Sequence, residues 1–255
     1  MSGYCHRMPA LSIRSLRKSF LLGPAQAARR NEALSCVDLE VEEAESVGIV
    51  GNEGAGKTTL LLCAAGLLCR DSGAVYWYGE RFGGGGILPG LTYMPAVPTY
   101  YPFLTVREVL DYYSNRDDIP ERRRRSLIER VSGRLGLADH LSAPVSELSM
   151  DTLKRVGIAQ ALVEEARTVL LDATLDGLSA GAGPAHAAIS DAVAAGVTVI
   201  VTSRNAGVLA PVATRILVMD AGRVTGSYTA EKNVFESSRF AALSPQMRQI
   251  AERVH

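Results

Sequence analysis

The stretch Gly51-Asn52-Glu53-Gly54-Ala55-Gly56-Lys57-Thr58-Thr59 decides the fold class of this chain. It fits the pattern G-x-x-x-x-G-K-[ST], whose glycines let backbone N–H groups approach an anion without an intervening Cβ. Lys57 supplies a positive charge for phosphates, and Thr58 supplies a hydroxyl for Mg²⁺. A strand-like apolar run, residues 47–50, precedes the loop, and a helix-like run follows it. A strand, a glycine loop and a helix N-terminus in this order predict a nucleotide-binding site.

The composition is that of a globular protein with balanced charge. Of the 255 residues, 47% are hydrophobic, and 27 Lys and Arg residues balance 27 Asp and Glu residues. This length accommodates one large domain or two small ones. The charge balance argues against a nucleic-acid partner, because nucleic acids are bound by basic surfaces. The four cysteines show no metal-ligand spacing, so we predict that they are reduced thiols.

The sequence shows neither a membrane span nor a secretion signal. Its longest uncharged apolar run, residues 58–69, is too short to cross a bilayer. The N-terminal residues 1–10 lack the apolar centre of a signal peptide. We therefore predict a cytoplasmic location.

The N-terminal part is predicted to be rich in strands. Apolar and acidic residues alternate over residues 37–41, which is the period of a half-buried strand. Residues 11–20 are predicted to form a second strand, and the polar, alanine-rich insert at residues 23–32 is predicted to be a loop. After the phosphate loop, residues 73–78 and 91–94 are also predicted to be strands.

The remainder of the chain changes from helical to strand periodicity. Apolar residues recur at helical spacing from about residue 105 to residue 162. Two continuous apolar runs, residues 168–171 and 197–201, predict central strands of a parallel sheet. The helix-compatible residues 184–195 would connect them. The C-terminal tail is predicted to end in a helix that begins at Ser244.

A series of motifs resembles the ATP-binding-cassette (ABC) ATPases over residues 9–228. In chain order the landmarks are Phe20, the phosphate loop, residues 104–110, residues 147–162, residues 169–172 and residues 215–224. The resemblance implies an α/β phosphate-loop NTPase fold with a RecA-like parallel-sheet core, an N-terminal antiparallel β part and an inserted helical subdomain. The implied boundaries are a core of residues 9–96 and 163–228, a helical subdomain of residues 97–162 and a partly helical tail of residues 229–255.

The same resemblance implies ATP and Mg²⁺ as ligands. Phe20 corresponds to an aromatic residue that stacks on adenine, and residues 51–59 would hold the phosphates. Thr58 and Asp172 correspond to the groups that hold Mg²⁺. In this family the signature motif of one subunit caps the ATP held by its partner, which implies that role for residues 149–151.

Several residues that serve hydrolysis in the family are replaced in this chain. Ala96 stands where the family has a Gln that touches Mg²⁺ and the attacking water. Ala173 stands in place of the Glu that polarises this water, directly after Asp172. Ser203 occupies the position of the switch His, and Ser179 that of an Asp between the two sites of a dimer.

The signature motif is altered as well. The family's L-S-G-G-Q corresponds here to Leu148-Ser149-Met150-Asp151-Thr152. Ser149 is kept as a hydrogen-bond donor, but both glycines are lost. Met150 adds bulk, and Asp151 is expected to bring negative charge toward a partner's triphosphate, which is repulsive at close range.

These departures predict a chain that binds ATP and hydrolyses it poorly or not at all. Loss of a general base lowers a rate by about 10²–10⁴, and the methyl group of Ala173 accepts no proton. Asp176 is a nearby carboxylate, but it lies four positions after Asp172 and not directly after it, which argues against its acting as a substitute. The alternative interpretation is that other residues perform the same chemistry.

The predicted function is that of the ATP-binding subunit of an exporter-like membrane transport complex. The expected partners are an integral membrane permease, docked near residues 100–103, and a second cassette, which is predicted to be a different chain. The protein would lie on the inner face of the cell membrane. The alternatives are a competent homodimeric transporter ATPase, a soluble ABC protein without a transport role, and a different phosphate-loop enzyme.

Overall fold

Two β-sheets of different kinds form the framework of the protein. The structure, a computed structural model, describes residues 8–23, 29–115, 119–179 and 181–229. A four-stranded sheet has the order β2-β1-β4-β5, and a six-stranded sheet has the order β10-β9-β3-β8-β7-β6. The predicted antiparallel N-terminal part and parallel core are therefore confirmed.

The four-stranded sheet is antiparallel. Its strands are β1 (Leu11–Leu22), β2 (Arg29–Val41), β4 (Ser72–Trp77) and β5 (Glu80–Phe82). Strand β1 lies in the centre and pairs with both β2 and β4.

The prediction of a loop at residues 23–32 is wrong for residues 29–32. These residues belong to β2, and Glu32 is paired with Ser19 of β1. The Arg17 guanidinium lies 3.0 Å from the Glu32 carboxylate, so cross-strand pairing outweighs the local polar composition. Residues 24–28 of the insert lie outside the described residues.

The six-stranded sheet has a parallel centre. Its strands are β3 (Ser46–Val50), β6 (Leu91–Met94), β7 (Thr168–Asp172), β8 (Thr198–Ser203), β9 (Arg215–Asp220) and β10 (Arg223–Thr229). Neighbours from β6 to β9 run parallel, and β10 pairs antiparallel with β9. Strands β3, β7 and β8 are buried along their whole length, as their continuous apolar sequence predicts.

Helices pack against the six-stranded sheet or against one another. They are α1 (Lys57–Ala65), α2 (Val106–Ser114), α3 (Glu121–Arg134), α4 (Met150–Val163), α5 (Ala182–Ala194) and the short α6 (Ala206–Leu209). Helix α2 begins with a capping box, because Thr105 and Glu108 satisfy each other's backbone N–H groups. The predicted helical periodicity over residues 105–162 corresponds to α2, α3 and α4, and the predicted connecting helix corresponds to α5.

The core consists of two clusters on opposite faces of the large sheet. Val169 and Val199 face the cluster built with α2 to α5, whereas Leu170 and Ile200 face the cluster beneath α1 and the small sheet. Successive residues of β7 and β8 thus serve both clusters in turn, since strand side chains alternate between faces. Because β7 and β8 are parallel and packed on both faces, their carboxyl ends are held at the same edge of the sheet.

Parts of the sequence-based expectations extend beyond what the structure describes. The helix predicted from Ser244 lies outside the described residues, as does nearly all of the tail at residues 229–255. The implied domain boundaries stay predictions. Within the described part of the chain, no helix combines the length and the apolar character that a bilayer span requires.

The helical part offers a direct test of this packing. Leu110 of α2 is fully buried in the cluster around α2 to α5, whereas Arg107 on the same helix is exposed. We expect Leu110→Ala to lower the free energy of unfolding by about 2–5 kcal/mol, because it leaves a cavity. Arg107→Ala should change it by less than about 0.5 kcal/mol. Urea unfolding measures both, and equal effects would contradict the assigned orientation of α2.

Candidate functional site

The phosphate loop connects β3 to α1 through a turn that requires glycine. A Cβ at Gly51 would lie 2.2 Å from the backbone oxygen of Met219, closer than any side chain allows. Gly56 has a φ of 98° and caps α1, and a Cβ there would lie 2.4 Å from the backbone oxygen of Ala33. The loop is therefore pressed against two neighbouring strands and cannot carry side chains at these positions.

The amino end of α1 presents unsatisfied donors and a positive charge to the cavity. No side chain caps this helix, and its first turn contains no acidic residue, so its N–H groups are available to an anion. The Lys57 ammonium donates to the carbonyl oxygens of Gly51 and Asn52 at 2.7 and 2.9 Å, which holds it across the loop. Burial lowers the pKa of Lys57, and the carboxylates of Asp172 and Asp176 oppose this effect.

A cavity of about 550 Å³ lies over this loop and contains most of the residues predicted from the sequence. The predicted residues that line it are Phe20, Glu53, Gly54, Ala55, Gly56, Lys57, Thr58, Thr59, Ala96, Asp172 and Ala173. Gly51 and Asn52 do not line it, and contribute through their bonds to Lys57. Phe20 comes from β1, so the small sheet supplies one wall of the cavity.

Asp172 is held in a defined orientation at the end of β7. One carboxylate oxygen accepts a hydrogen bond from the Thr202 hydroxyl at 2.7 Å, and the other accepts from the Tyr93 hydroxyl at 3.1 Å. Burial and the Asp172 charge raise the pKa of Tyr93, so its hydroxyl stays a donor. Thr58 is exposed in the same cavity. A carboxylate and a hydroxyl are hard oxygen ligands, so the donor set fits Mg²⁺ that is completed by phosphate and water.

Three of the four replaced positions, Ala96, Ala173 and Ser203, differ in their access to the cavity. Ala96 and Ala173 line it with methyl groups, and the backbone N–H of Ala173 donates to Thr202 at 2.9 Å. Ser203 is fully buried, and its hydroxyl donates to the Asp176 carboxylate. The Ser203 hydroxyl therefore does not face a ligand in the cavity.

Three charged residues of the cavity were not predicted from the sequence to bind nucleotide. Lys154, Asp176 and Arg204 line it together with the predicted residues. Lys154 is buried and donates to the backbone oxygen of Asp176. By sequence Asp176 is only a displaced candidate for the base, yet the fold brings its carboxylate into the cavity. Nothing in the sequence indicated a cavity role for Arg204 except its position directly after Ser203.

The altered signature motif lies at the start of α4, outside this cavity. The Ser149 hydroxyl caps the helix by accepting from the Thr152 N–H at 3.1 Å. Met150 is 53% exposed, so its side chain projects from the surface. The role of these residues at a partner's site stays a prediction.

Asp151 contacts its own chain, which changes the expectation of a bare negative charge. Its carboxylate accepts from the Ser179 N–H at 2.9 Å and from the Arg155 guanidinium at 3.1 Å. Arg155 also donates to the backbone oxygens of Leu135 and Gly136, each at 2.8 Å. We call Asp151, Arg155 and Ser179 the Asp151 cluster. It ties the start of α4 to the loop after β7.

The aromatic residues expected to receive a permease fall into two groups. Tyr100 is half-buried and donates to the Gln160 side chain at 2.7 Å, so it belongs to the core. Tyr101 and Phe103 are 70% and 73% exposed, and their rings stack at 5.7 Å between centroids.

The site and the fold together define the class of this protein. A glycine loop between a parallel strand and a helix, with an oriented aspartate at the end of a neighbouring strand, is a phosphate-loop nucleotide-binding site. Residues 34–175, more than half of the chain, match the ABC transporter family. The chain belongs to this family, whose cassettes bind ATP with Mg²⁺.

Curated relatives support the assignment. The bicarbonate transport ATP-binding protein CmpC of Synechococcus elongatus is 31% identical over 178 residues, which cover 67% of this chain and 26% of CmpC. The lipoprotein-releasing system ATP-binding protein LolD of Pseudomonas syringae pv. tomato is 36% identical over 173 residues, which cover 64% of this chain and 73% of LolD. Several relatives are longer, so the chain spans between 26% and 53% of their length.

Solved structures share the fold. A dimeric post-hydrolysis state of an ATP-binding cassette bound to ADP and inorganic phosphate matches with a TM-score of 0.75. The match has 20% identity and covers 87% of this chain and 99% of that one. An ATP-bound bacterial exporter of the Atm1 family matches with a TM-score of 0.76 and 17% identity, over 97% of this chain and 42% of that one. At these identities the similarity establishes the fold alone.

The Asp151 cluster makes stability depend on pH. Burial raises the pKa of Asp151, but its bonds to Ser179 and Arg155 outweigh burial and hold the pKa below the usual 3.8. A lowered pKa stabilises the folded state above pH 3.8 and loses this contribution as the pH falls through the folded-state value. We expect Asp151→Ala to cost about 1–2 kcal/mol of unfolding free energy at pH 7.

The difference between wild type and Asp151→Ala should shrink as the pH is lowered from 5 toward 3. Chemical denaturation at several pH values measures it. The comparison variant Ser179→Ala removes only the longer hydroxyl contact of 3.4 Å and keeps the backbone N–H that donates to Asp151. It should therefore lower the unfolding free energy by less than Asp151→Ala. A pH-independent difference would show that the carboxylate charge plays no part.

Proposed function

We propose that this chain is the ATP-binding subunit of an ABC-type membrane transport complex, and that it binds Mg·ATP but hydrolyses it poorly or not at all. One observation carries the proposal. The phosphate loop and the oriented Asp172 are intact, whereas Ala96, Ala173 and buried Ser203 stand at the positions that serve hydrolysis.

The carboxylates of the cavity offer no free general base. Among the described residues that line it, the acidic ones are Glu53, Asp172 and Asp176. Asp172 accepts two hydrogen bonds, and Asp176 accepts from the Ser203 hydroxyl and from the Arg204 N–H at 3.3 Å. Glu53 is 93% exposed at the rim. Without a positioned base the rate falls by about 10²–10⁴, which supports slow turnover.

The proposed nucleotide site is this cavity, and the shared lining by Phe20, the phosphate loop and Asp172 supports it. Phe20 would stack on the adenine, the loop of residues 51–59 would hold the phosphates, and Thr58 and Asp172 would hold Mg²⁺. This ion would screen the phosphate charge when bound. The proposed domain spans residues 9–228.

The proposed assembly contains a permease and a second cassette. The ATP site of this chain lacks the catalytic Glu. A second cassette that keeps this Glu would supply ATP hydrolysis to the complex, so we favour a different chain over an identical one as the partner. The exposed rings of Tyr101 and Phe103 suit a docked permease helix. The chain would then lie in the cytoplasm, on the inner face of the cell membrane. The relative LolD, named for a lipoprotein-releasing system, supports an exporter-like role.

The purified protein should bind Mg·ATP without hydrolysing it measurably. At a hundredfold excess over its Kd, Mg·ATP should stabilise the wild type by about 2.7 kcal/mol, measured as a rise in Tm. Phosphate release by the wild type should equal that of Lys57→Ala, which loses the charge that contacts the phosphates and should show no rise in Tm.

Two results would contradict the proposal in different ways. Phosphate release that exceeds the Lys57→Ala background would show that the site is catalytically competent. The absence of any change in Tm at millimolar ATP would contradict the proposal that the chain binds nucleotide.

The assembly is tested by purification of the tagged chain from native membranes in mild detergent with Mg·ATP. We expect a permease and a second cassette that carries the catalytic Glu to co-purify. Tyr101→Ala combined with Phe103→Ala should weaken recovery of the permease, whereas Arg107→Ala on the exposed face of α2 should not. Recovery of a permease with this chain alone would indicate a homodimer, and recovery of soluble partners alone would contradict a transport role.

A further inference from the structure

Arg204 is an accessible cation in the nucleotide cavity. It follows β8 directly, and its side chain is 66% exposed while it lines the cavity beside the phosphate loop. Its guanidinium lies 3.8 Å from the Asp176 carboxylate and 4.0 Å from that of Glu53. Both distances exceed those of hydrogen bonds, so these exposed ion pairs hold the side chain weakly.

The other cations of the cavity are already engaged. Among the described residues that line it, the remaining basic side chains are Lys57 and Lys154. Lys57 donates to two carbonyl oxygens of the loop, and buried Lys154 donates to the backbone of Asp176. No side-chain hydrogen bond of Arg204 occurs within the described part of the chain, so all donors of its guanidinium are free, whereas Lys57 and Lys154 already use some of theirs.

Arg204 stands at the same end of the cavity as Lys57. The charges of Asp172, Asp176, Arg204 and Glu53 all act on the Lys57 ammonium, after the larger effect of its burial. Arg204 also lies beside the phosphate loop, since its guanidinium is 4.0 Å from the carboxylate of Glu53. Phe20 lines the same cavity from β1 of the small sheet. With the adenine on Phe20 and the phosphates on the loop, as proposed above, the terminal phosphate would lie near Lys57 and Arg204.

We propose, on the basis that the chain binds ATP, that Arg204 contacts the terminal phosphate and makes the site prefer a nucleoside triphosphate to a diphosphate. The neighbouring Ser203 does not fill this role, because it is buried and its hydroxyl donates to Asp176. A guanidinium is a planar fork that pairs with two phosphate oxygens at once. The terminal phosphate would draw Arg204 from Asp176 and Glu53, whose ion pairs are long.

The test compares the affinities for Mg·ATP and Mg·ADP by isothermal titration calorimetry. We expect Arg204→Ala to raise the Kd of ATP by about tenfold, which is the lower range for a hydrogen bond to a charged group. The Kd of ADP should change by less than about twofold, because ADP lacks the contacted phosphate. Arg204→Lys keeps the charge but not the fork, and should fall between wild type and Arg204→Ala.

Arg122→Ala is the matched control, since Arg122 is exposed on α3 and does not line the cavity. It should leave both affinities unchanged. Thermal unfolding of each variant verifies that the fold is kept, and Arg204→Lys provides a conservative second variant. An equal loss of ATP and ADP affinity in Arg204→Ala, or no loss at all, would overturn this inference alone. A wild-type chain that binds neither nucleotide would overturn the proposed function as well.

Discussion

The close contact between the phosphate loop and the end of β9 constrains the rest of the structure. There is no room for a Cβ at Gly51, because the backbone oxygen of Met219 would lie 2.2 Å away. Gly222, in the turn after β9, forms hydrogen bonds to both the phosphate loop and the small sheet. Its N–H donates to the backbone oxygen of Ala55 at 3.1 Å, and its oxygen accepts from the Ser35 N–H at 2.8 Å. These backbone hydrogen bonds join the loop, the large sheet and the small sheet.

Parallel pairing explains why the polar groups of the site converge. Strands β3, β7 and β8 run in the same direction, so Val50, Asp172 and Ser203 end at one edge of the sheet. The phosphate loop leaves from the first of these strands, and the cavity opens above all three. Each strand is anchored by apolar side chains on both faces, which fixes the polar groups at its end without any contribution from a ligand.

Local sequence patterns predicted the phosphate loop and most of the strands and helices. The features that these patterns missed depend on contacts between distant parts of the chain. The phosphate loop and the apolar strands around residues 168 and 198 were predictable because their signals lie within a few consecutive residues. The start of β2 was missed, since a polar insert becomes a strand only when β1 supplies its partner. The cavity roles of Asp176 and Arg204 depend on where two separate loops meet, and the Ser179 partner of Asp151 lies 28 residues away. No local pattern encodes such distances.

The Asp151 cluster also has a mechanical consequence. Arg155 reaches from α4 to the carbonyl oxygens after α3, while Asp151 reaches from the same helix to the loop that follows β7. Any rotation of these helices against the sheet must first break charge-assisted hydrogen bonds, which are stronger than neutral ones. The cluster therefore opposes movement of α4 relative to the residues after α3 and to the loop after β7.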